Sequence, residues 1–452
     1  MTGTAWILGA GFSKAISEHM PTMKELGVAM CSTIAADADL VPLLSAAERA
    51  AIRSDIPLGD LEVWLTSLAS PQPFLNESEN LRRAALSSRL TEIIADEIEG
   101  RRRLACGDER PKWLVDLITL WHYGEDAVLS LNYDTLVENC LESMALRRPD
   151  LSNTVVRTSS ILRFYPRGVP REGGIWFGQE PVDTFEFLKL HGSTNWYALP
   201  GTVDVSRVDE LIRGWVSDAP TLPPMLAAPL RGATKAILIP TADKSVGHAK
   251  PVFANIWRAA RGRLENATEL VLFGYSLPPS DSSIRALLSQ SVSTEIPVTI
   301  IDPNAAAVRE RLHQLGLKAE GTDMQVGSTE FDRALCRWAT DRSHLVDWSL
   351  LDDCAKPFHV CARDPDGTER PVSTHVETAD SVRLSIADDP NPPTILVRVS
   401  QDQILVRPTD KAWSAQAENG QPLLILALRT HSRPADIGTN TIVDVIGPFG
   451  EI

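Results

Sequence analysis

Short runs of consecutive apolar residues punctuate the chain, and the early ones stop abruptly at a glycine or a polar turn. Ala5-Trp6-Ile7-Leu8 breaks into Gly9-Ala10-Gly11 and then Ser13-Lys14-Ala15, which reads as buried strand, tight turn and helix start. Similar runs return at Ala127–Leu131, Phe185–Leu190, Ala236–Ile239, Leu270–Phe273 and Val298–Ile301, with helix-period stretches between most of them. Strands that are apolar on both faces and separated by helices predict a parallel sheet covered on two sides. The expected fold class is therefore α/β, with a doubly wound, mostly parallel, Rossmann-like sheet.

Two long stretches depart from that rhythm. From about 23 to 121 the pattern is helical, as in Leu81-Arg82-Arg83-Ala84-Ala85-Leu86 running on to Ile94–Ile98, and predicts a helical insertion. The triplet Arg101-Arg102-Arg103 reads as the end of a solvated helix, with a local basic patch for a specific phosphate contact as the alternative. The segment Pro200–Thr234, rich in Pro, Gly and Asp, predicts a surface excursion. After about Ser343, short β-type runs such as Ile395–Val399 and Gln403–Val406 alternate with Pro-, Asp- and Asn-rich turns. Two domains follow: an α/β unit over 1–342 and a small β-rich C-terminal unit over 343–452.

Composition narrows the class further. The 452 residues are 43% hydrophobic and 23% charged, and no run of eighteen apolar residues would span a bilayer, so no membrane segment is expected. Met1-Thr2-Gly3-Thr4 has no basic region leading into an apolar core, and a cytoplasmic location is the expectation. Six cysteines lie scattered without a Cys-x-x-Cys pair, which fits neither a disulfide framework nor a four-thiolate zinc site, so buried free thiols and no metal are expected. A formal charge of −15 opposes binding to a phosphate backbone, and direct nucleic-acid binding is not expected.

Candidate chemistry gathers where the apolar runs end. Gly9-Ala10-Gly11-Phe12-Ser13 would let backbone amides approach a pyrophosphate at a helix N-terminus, although the third glycine of the usual dinucleotide fingerprint is missing. Leu129-Ser130-Leu131 runs directly into Asn132-Tyr133-Asp134, and Leu188-Lys189-Leu190 into His191-Gly192-Ser193. Both put polar side chains at carboxyl ends of strands, where α/β folds keep their ligands. Each also has an ordinary reading, Asn132 and Asp134 as a helix cap pair and His191 as a hydrogen-bonded strand-end histidine. Leu272-Phe273-Gly274-Tyr275-Ser276-Leu277-Pro278-Pro279-Ser280-Asp281 and Ile300-Ile301-Asp302-Pro303-Asn304 repeat the strand-to-polar-turn pattern.

Taken in order, Gly-Ala-Gly-x-Ser, Ser-x-Asn-Tyr-Asp-x-Leu-x-Glu, Leu-His-Gly-Ser-x-Asn-Trp, Pro-x-x-x-Lys at Pro240–Lys244 and Gly-Tyr-Ser-Leu-Pro-x-x-Asp carry a resemblance. The chain resembles the sirtuin-like domains of bacterial NAD-consuming anti-phage defence effectors over about Thr4–Asn304. Trp257, Ala260 and Leu264, spaced for one helix face, extend the match. It departs from protein-deacylating sirtuins, which carry a zinc ribbon with two Cys-x-x-Cys pairs and an Asp-Phe-Arg sequence after the proline of the first loop, where Met20-Pro21-Thr22-Met23-Lys24 stands here.

The resemblance implies cleavage of NAD, as substrate and not cofactor, to nicotinamide and ADP-ribose, with water as acceptor. It implies that Asn132 binds the nicotinamide ribose or positions the water, that His191 accepts a proton, and that Asp134 orients either partner or stabilises developing positive charge. Gly9, Ala10, Gly11 and Ser13 would hold the pyrophosphate. Gly274, Ser276, Asp302 and Asn304 would contact the adenosine half, while Asp281 reaches a ribose hydroxyl or caps a helix. A NAD-depleting abortive-infection effector, an oligomer of identical chains, and a trigger or partner protein acting through the C-terminal unit all follow from the resemblance alone. Two other functions stay open: a sensor that binds NAD or ADP-ribose without turnover, and a protein ADP-ribosyltransferase. The C-terminal unit is open between oligomerisation, sensing, docking and simple stabilisation.

Overall fold

The computed structural model describes residues 3–53, 64–65, 67–68, 71–108, 110–144, 156, 158–162, 184–198, 205–207, 234–237, 251–331, 334–335 and 338, and then seven strand segments between 358 and 446. The α/β part contains strands β1 (Thr4–Leu8), β2 (Ala127–Ser130), β3 (Glu186–Lys189), β4 (Gly192–Ala198), β5 (Val205–Arg207), β6 (Thr234–Ile237), β7 (Glu269–Phe273), β8 (Val298–Ile301) and β9 (Asp323–Met324). Six of them form one sheet in the order β3-β2-β1-β7-β8-β9, and every pairing in it is parallel. Counting only those six, the order is 3-2-1-4-5-6, that of the doubly wound dinucleotide-binding folds. The strand order reverses between β1 and β7, and in open α/β sheets the crevice at that reversal is where ligands bind.

Alternation along the strands explains why both faces are covered. Trp6 and Leu8 of β1, Val128 of β2, and Val271 and Phe273 of β7 belong to one core, with Leu90 and Ile94 of helix Glu77–Ala105 and Leu117, Ile118 and Trp121 of helix Lys112–Gly124. Ala5, Ile7, Leu129, Leu270 and Leu272, the intervening positions, belong to the other, with Ile256 and Ala260 of helix Pro251–Glu265, Leu288 of helix Ser282–Ser291 and Val308 of helix Ala305–His313. A period of two in the strands thus meets helix stripes on opposite sides. Helix Glu77–Ala105 begins with a reciprocal capping box between Asn76 and Glu79, which satisfies two of its otherwise unpaired amides. Its last turn corrects one expectation: Arg102 is buried and paired with Glu99, so the arginine triplet is only partly solvated.

Three other features differ from the sequence reading. The apolar run at Ala236 is not part of the parallel sheet: β6 pairs antiparallel with β4, which pairs with β5, in a separate three-stranded sheet. The cause is the Leu190-His191 link between β3 and β4, too short for the crossover a parallel neighbour requires. The short strand β9, two residues long, extends the parallel sheet where no apolar run announced it. Cys106 is exposed, while Cys31 and Cys140 are buried thiols as expected. Pro240–Lys244 and the 342/343 boundary lie outside the described residues, as does most of Pro200–Thr234.

The C-terminal segments β10 (Phe358–Arg363), β11 (Glu369–Thr378), β12 (Ser381–Ile386), β13 (Thr394–Ser400), β14 (Gln403–Pro408), β15 (Ile425–Thr430) and β16 (Thr441–Ile446) form one seven-stranded sheet by themselves, in the order β14-β13-β12-β11-β10-β16-β15. All its pairings are antiparallel except β10 with β16. Among the described residues no helix is long and apolar enough to cross a membrane.

Candidate functional site

The reversal point is built from glycine. Gly9 donates to the Phe273 carbonyl at 3.0 Å and Gly11 to the Gly274 carbonyl at 2.9 Å, so the turns after β1 and β7 lie directly on one another. A Cβ on Gly9 would stand 2.5 Å from the Gly274 oxygen, and one on Gly274, whose φ is +60°, would stand 2.1 Å from the Phe12 nitrogen. Close approach of two backbones is what these glycines permit. The amides of Gly9, Gly11 and Phe12 are all donated within the protein, the last to the Gly9 carbonyl. Among the described residues, the Ala10 amide at the start of helix Ala10–Ile16 has no such acceptor.

Asn132, Asp134 and Ser13 come together beneath this turn, all buried. The Ser13 hydroxyl donates to Asp134 Oδ2 at 2.6 Å. Asn132 Nδ2 donates to Ser13 Oγ at 2.9 Å and to the Gly9 carbonyl at 2.8 Å. These bonds decide which way the amide faces. Ser13 has one proton, already given to Asp134, and a carbonyl can only accept, so the NH2 end of Asn132 must point at both. Its Oδ1 is left as an acceptor without a donor among the described residues. Asp134 Oδ1 meanwhile accepts from the Leu136 amide at 3.1 Å. The cap-pair reading therefore holds for Asp134 in part, since it closes the turn before helix Leu136–Met144, and fails for Asn132, whose side chain faces the glycine turn.

His191 occupies the link between β3 and β4 and is buried. Its flanks are tied to the Asn132 loop on both sides. Lys189 Nζ donates to the Asp134 carbonyl and, at 3.1 Å, to Glu138 Oε1. Ser193 Oγ and the Thr194 amide both donate to the Tyr133 carbonyl, at 3.1 and 2.9 Å. Trp257 Nε1, from helix Pro251–Glu265, donates to the Leu190 carbonyl at 3.0 Å. The His191 ring lies 6.3 Å from that of Tyr133 and 6.5 Å from that of Trp257, centroid to centroid. Gly192 turns the chain with φ +79°, and a Cβ there would stand 2.2 Å from the Ala236 carbonyl of β6. Burial pushes the Glu138 carboxyl above its ordinary range, against the attraction of Lys189.

The remaining expected residues sit along the same carboxyl edge of the sheet, after β7 and β8. Asp281 is buried and accepts from the Tyr275 hydroxyl at 2.9 Å; it makes no side-chain cap on helix Ser282–Ser291. The Ser276 carbonyl accepts from Arg311. Asp302 Oδ1 accepts from the Asn304 amide at 2.7 Å, closing the turn into helix Ala305–His313. Asn304, like Asp281, precedes its helix without a side-chain cap. The hydrogen bonds thus unite Gly9, Ser13, Asn132 and Asp134, bring the Gly274 turn against them, and tie in the flanks of His191. Ser276 and Asp281 bond to Arg311 and Tyr275, and Asp302 to Asn304, so these hydrogen bonds do not join them to that array. Glu138 and Ser193 belong to the motifs read from the sequence, but no role was anticipated for them or for Lys189. The signal available was a lysine and a glutamate inside otherwise apolar stretches. Among the described residues no group of three or more His, Cys, Asp or Glu side chains is placed to hold a metal ion. Comparison of the chain with protein-family models and with curated proteins returned no match to either.

Proposed function

We propose that the chain is a sirtuin-like NAD glycohydrolase that cleaves NAD with water to nicotinamide, ADP-ribose and a proton. The observation that carries this reading is the buried array at the strand-order reversal. There Asp134, Ser13 and Gly9 leave Asn132 Oδ1 as an acceptor without a donor among the described residues, with His191 held on the adjoining strand end. An oriented amide oxygen suits a hydrolase, because it can accept from a water or a ribose hydroxyl and fix its lone pair on the anomeric carbon. The bond to nicotinamide breaks with its electron pair going to the ring nitrogen, which leaves neutral. The ribose carries oxocarbenium character, and the water oxygen closes the new bond to the anomeric carbon. His191 accepts the proton released, the task for which imidazole is the commonest general base. Asp134 acts mainly through Ser13, holding Asn132 in its working orientation. The pyrophosphate is assigned to the Ala10 amide and helix Ala10–Ile16, and the adenosine half to the turns bearing Gly274, Ser276, Asp281, Asp302 and Asn304.

The role as an NAD-depleting defence effector, assembled from identical chains and triggered through the C-terminal sheet, rests on the sequence resemblance and extends this proposal. The test is chromatography of the full chain incubated with NAD. Wild type should release equimolar nicotinamide and ADP-ribose. Asn132→Ala and His191→Ala should each lower the rate by about 100-fold or more while remaining folded. Binding of NAD by wild type without any product would replace the hydrolase with a sensor, and label transferred from NAD to protein would replace it with a transferase.

A further inference from the structure

Lysine is almost never fully buried unless it is paired, because removing an ammonium from water is costly. Lys189 has no exposed surface, and its partner Glu138 is nearly as buried. A leucine or methionine at the end of β3 would fill the same volume without that cost, so the pair calls for an account beyond packing. Its geometry supplies one. Lys189 stands two residues before His191, and its ammonium reaches the Asp134 carbonyl and Glu138, both of which follow Asn132 in the chain. Two and three residues after His191, Ser193 Oγ and the Thr194 amide hold the neighbouring Tyr133 carbonyl. The Asn132–Asp134 loop is therefore gripped from both flanks of the histidine. The gripping groups reach the Asp134 and Tyr133 carbonyls and the Glu138 carboxylate.

We infer that Lys189 and Glu138 are positioning residues for the proposed reaction, a buried ammonium–carboxylate clamp that sets the spacing between the Asn132 loop and His191. This inference rests on the reading of Asn132 and His191 as the reacting site. Glu138 supplies the counter-charge that makes a buried ammonium tolerable. The ammonium in turn satisfies the Asp134 carbonyl, which an apolar side chain at 189 would leave without that donor. A shift of about 1 Å in the loop would be enough to cost about 100-fold in rate, because the water, the anomeric carbon and the proton acceptor must be aligned together.

The decisive variant is Lys189→Met/Glu138→Gln, which removes both charges at near-constant volume and leaves no lone buried ion. In the full-length protein it should melt within a few degrees of wild type and keep KM for NAD within about threefold, while kcat falls at least about 30-fold. Deuterium uptake over residues 132–139 should quicken at least about tenfold, with uptake in β1 and β7 unchanged. A pair that only stabilises the fold would lower the melting temperature and leave kcat per folded molecule alone. A folded double variant with wild-type kcat and wild-type uptake overturns the inference. Should wild type release no nicotinamide, the hydrolase reading falls separately, and unchanged uptake in the double variant would still overturn the clamp. If the double variant does not fold, Glu138→Gln takes its place. That variant should lose at least about threefold in kcat with faster uptake at 132–139, and no change in either overturns the inference.

Discussion

At the scale of single residues, the site depends on who donates to whom. Ser13 is the hinge of the arrangement, since its one proton goes to Asp134 and its lone pair receives Asn132. Ser13→Ala removes that acceptor and leaves the buried Asp134 oxygen without its donor, so it should slow NAD cleavage about 10- to 100-fold with a smaller change in KM, measured by steady-state kinetics. Gly274→Ala belongs to the same scale but acts on stability. A Cβ 2.1 Å from the Phe12 nitrogen, at a φ of +60°, forces the turns after β1 and β7 apart and should cost at least about 2 kcal/mol in denaturant unfolding. Asn132, Asp134 and His191 were legible in the sequence because a polar residue ending an apolar run is conspicuous. The use of Gly9 and Gly11 was not: glycine marks a close approach, and the sequence does not say whether a phosphate or another backbone approaches. Lys189 was missed for a related reason, since both its acceptors lie more than fifty positions upstream.

Between elements, the contact that matters most is helix Glu77–Ala105 against the three-stranded sheet that begins at Gly192. Thr194 Oγ1 donates to Glu99 at 3.4 Å, and Glu99 is paired with the buried Arg102. Burial alone would push the Glu99 carboxyl up, but hydrogen-bonded Arg102, with Arg103 and Lys235 nearby, outweighs it and holds the group below its ordinary value. A carboxyl depressed in the folded state gives stability that is present above the unfolded carboxylate range, near 4.5, and lost as the pH falls through the folded value. Glu99→Gln should therefore destabilise the protein by about 1–3 kcal/mol at pH 7 and by progressively less as the pH falls below the ordinary carboxylate range, as read from melting temperatures across an acid titration. Most of the parallel strands were legible from their apolar runs. The β4–β6 sheet was not, because apolar content does not report direction. The two-residue link that forces β4 out of the parallel sheet becomes visible once the end of β3 is known.

For the whole molecule, the sheet is bound to residues far along the chain. Trp338 is fully buried and meets Trp6 edge to face at 4.7 Å, and its indole nitrogen donates to Glu269. Trp338→Ala should cost about 3–5 kcal/mol in urea unfolding, with the midpoint moving and the slope unchanged. The same long-range construction governs the site. Ser13 lies 121 positions before Asp134, and Gly9 lies 123 before Asn132, with the whole helical insertion between them. A growing chain leaving the ribosome thus carries its glycine turn early but has neither Asn132 nor His191 to pair with it until far more sequence has emerged, and the Gly274 turn comes later still. On the proposed reading, NAD cleavage would be withheld during synthesis, because the helical insertion and the later strands postpone the assembly of the Gly9, Asn132, His191 and Gly274 turns until the α/β fold is nearly complete.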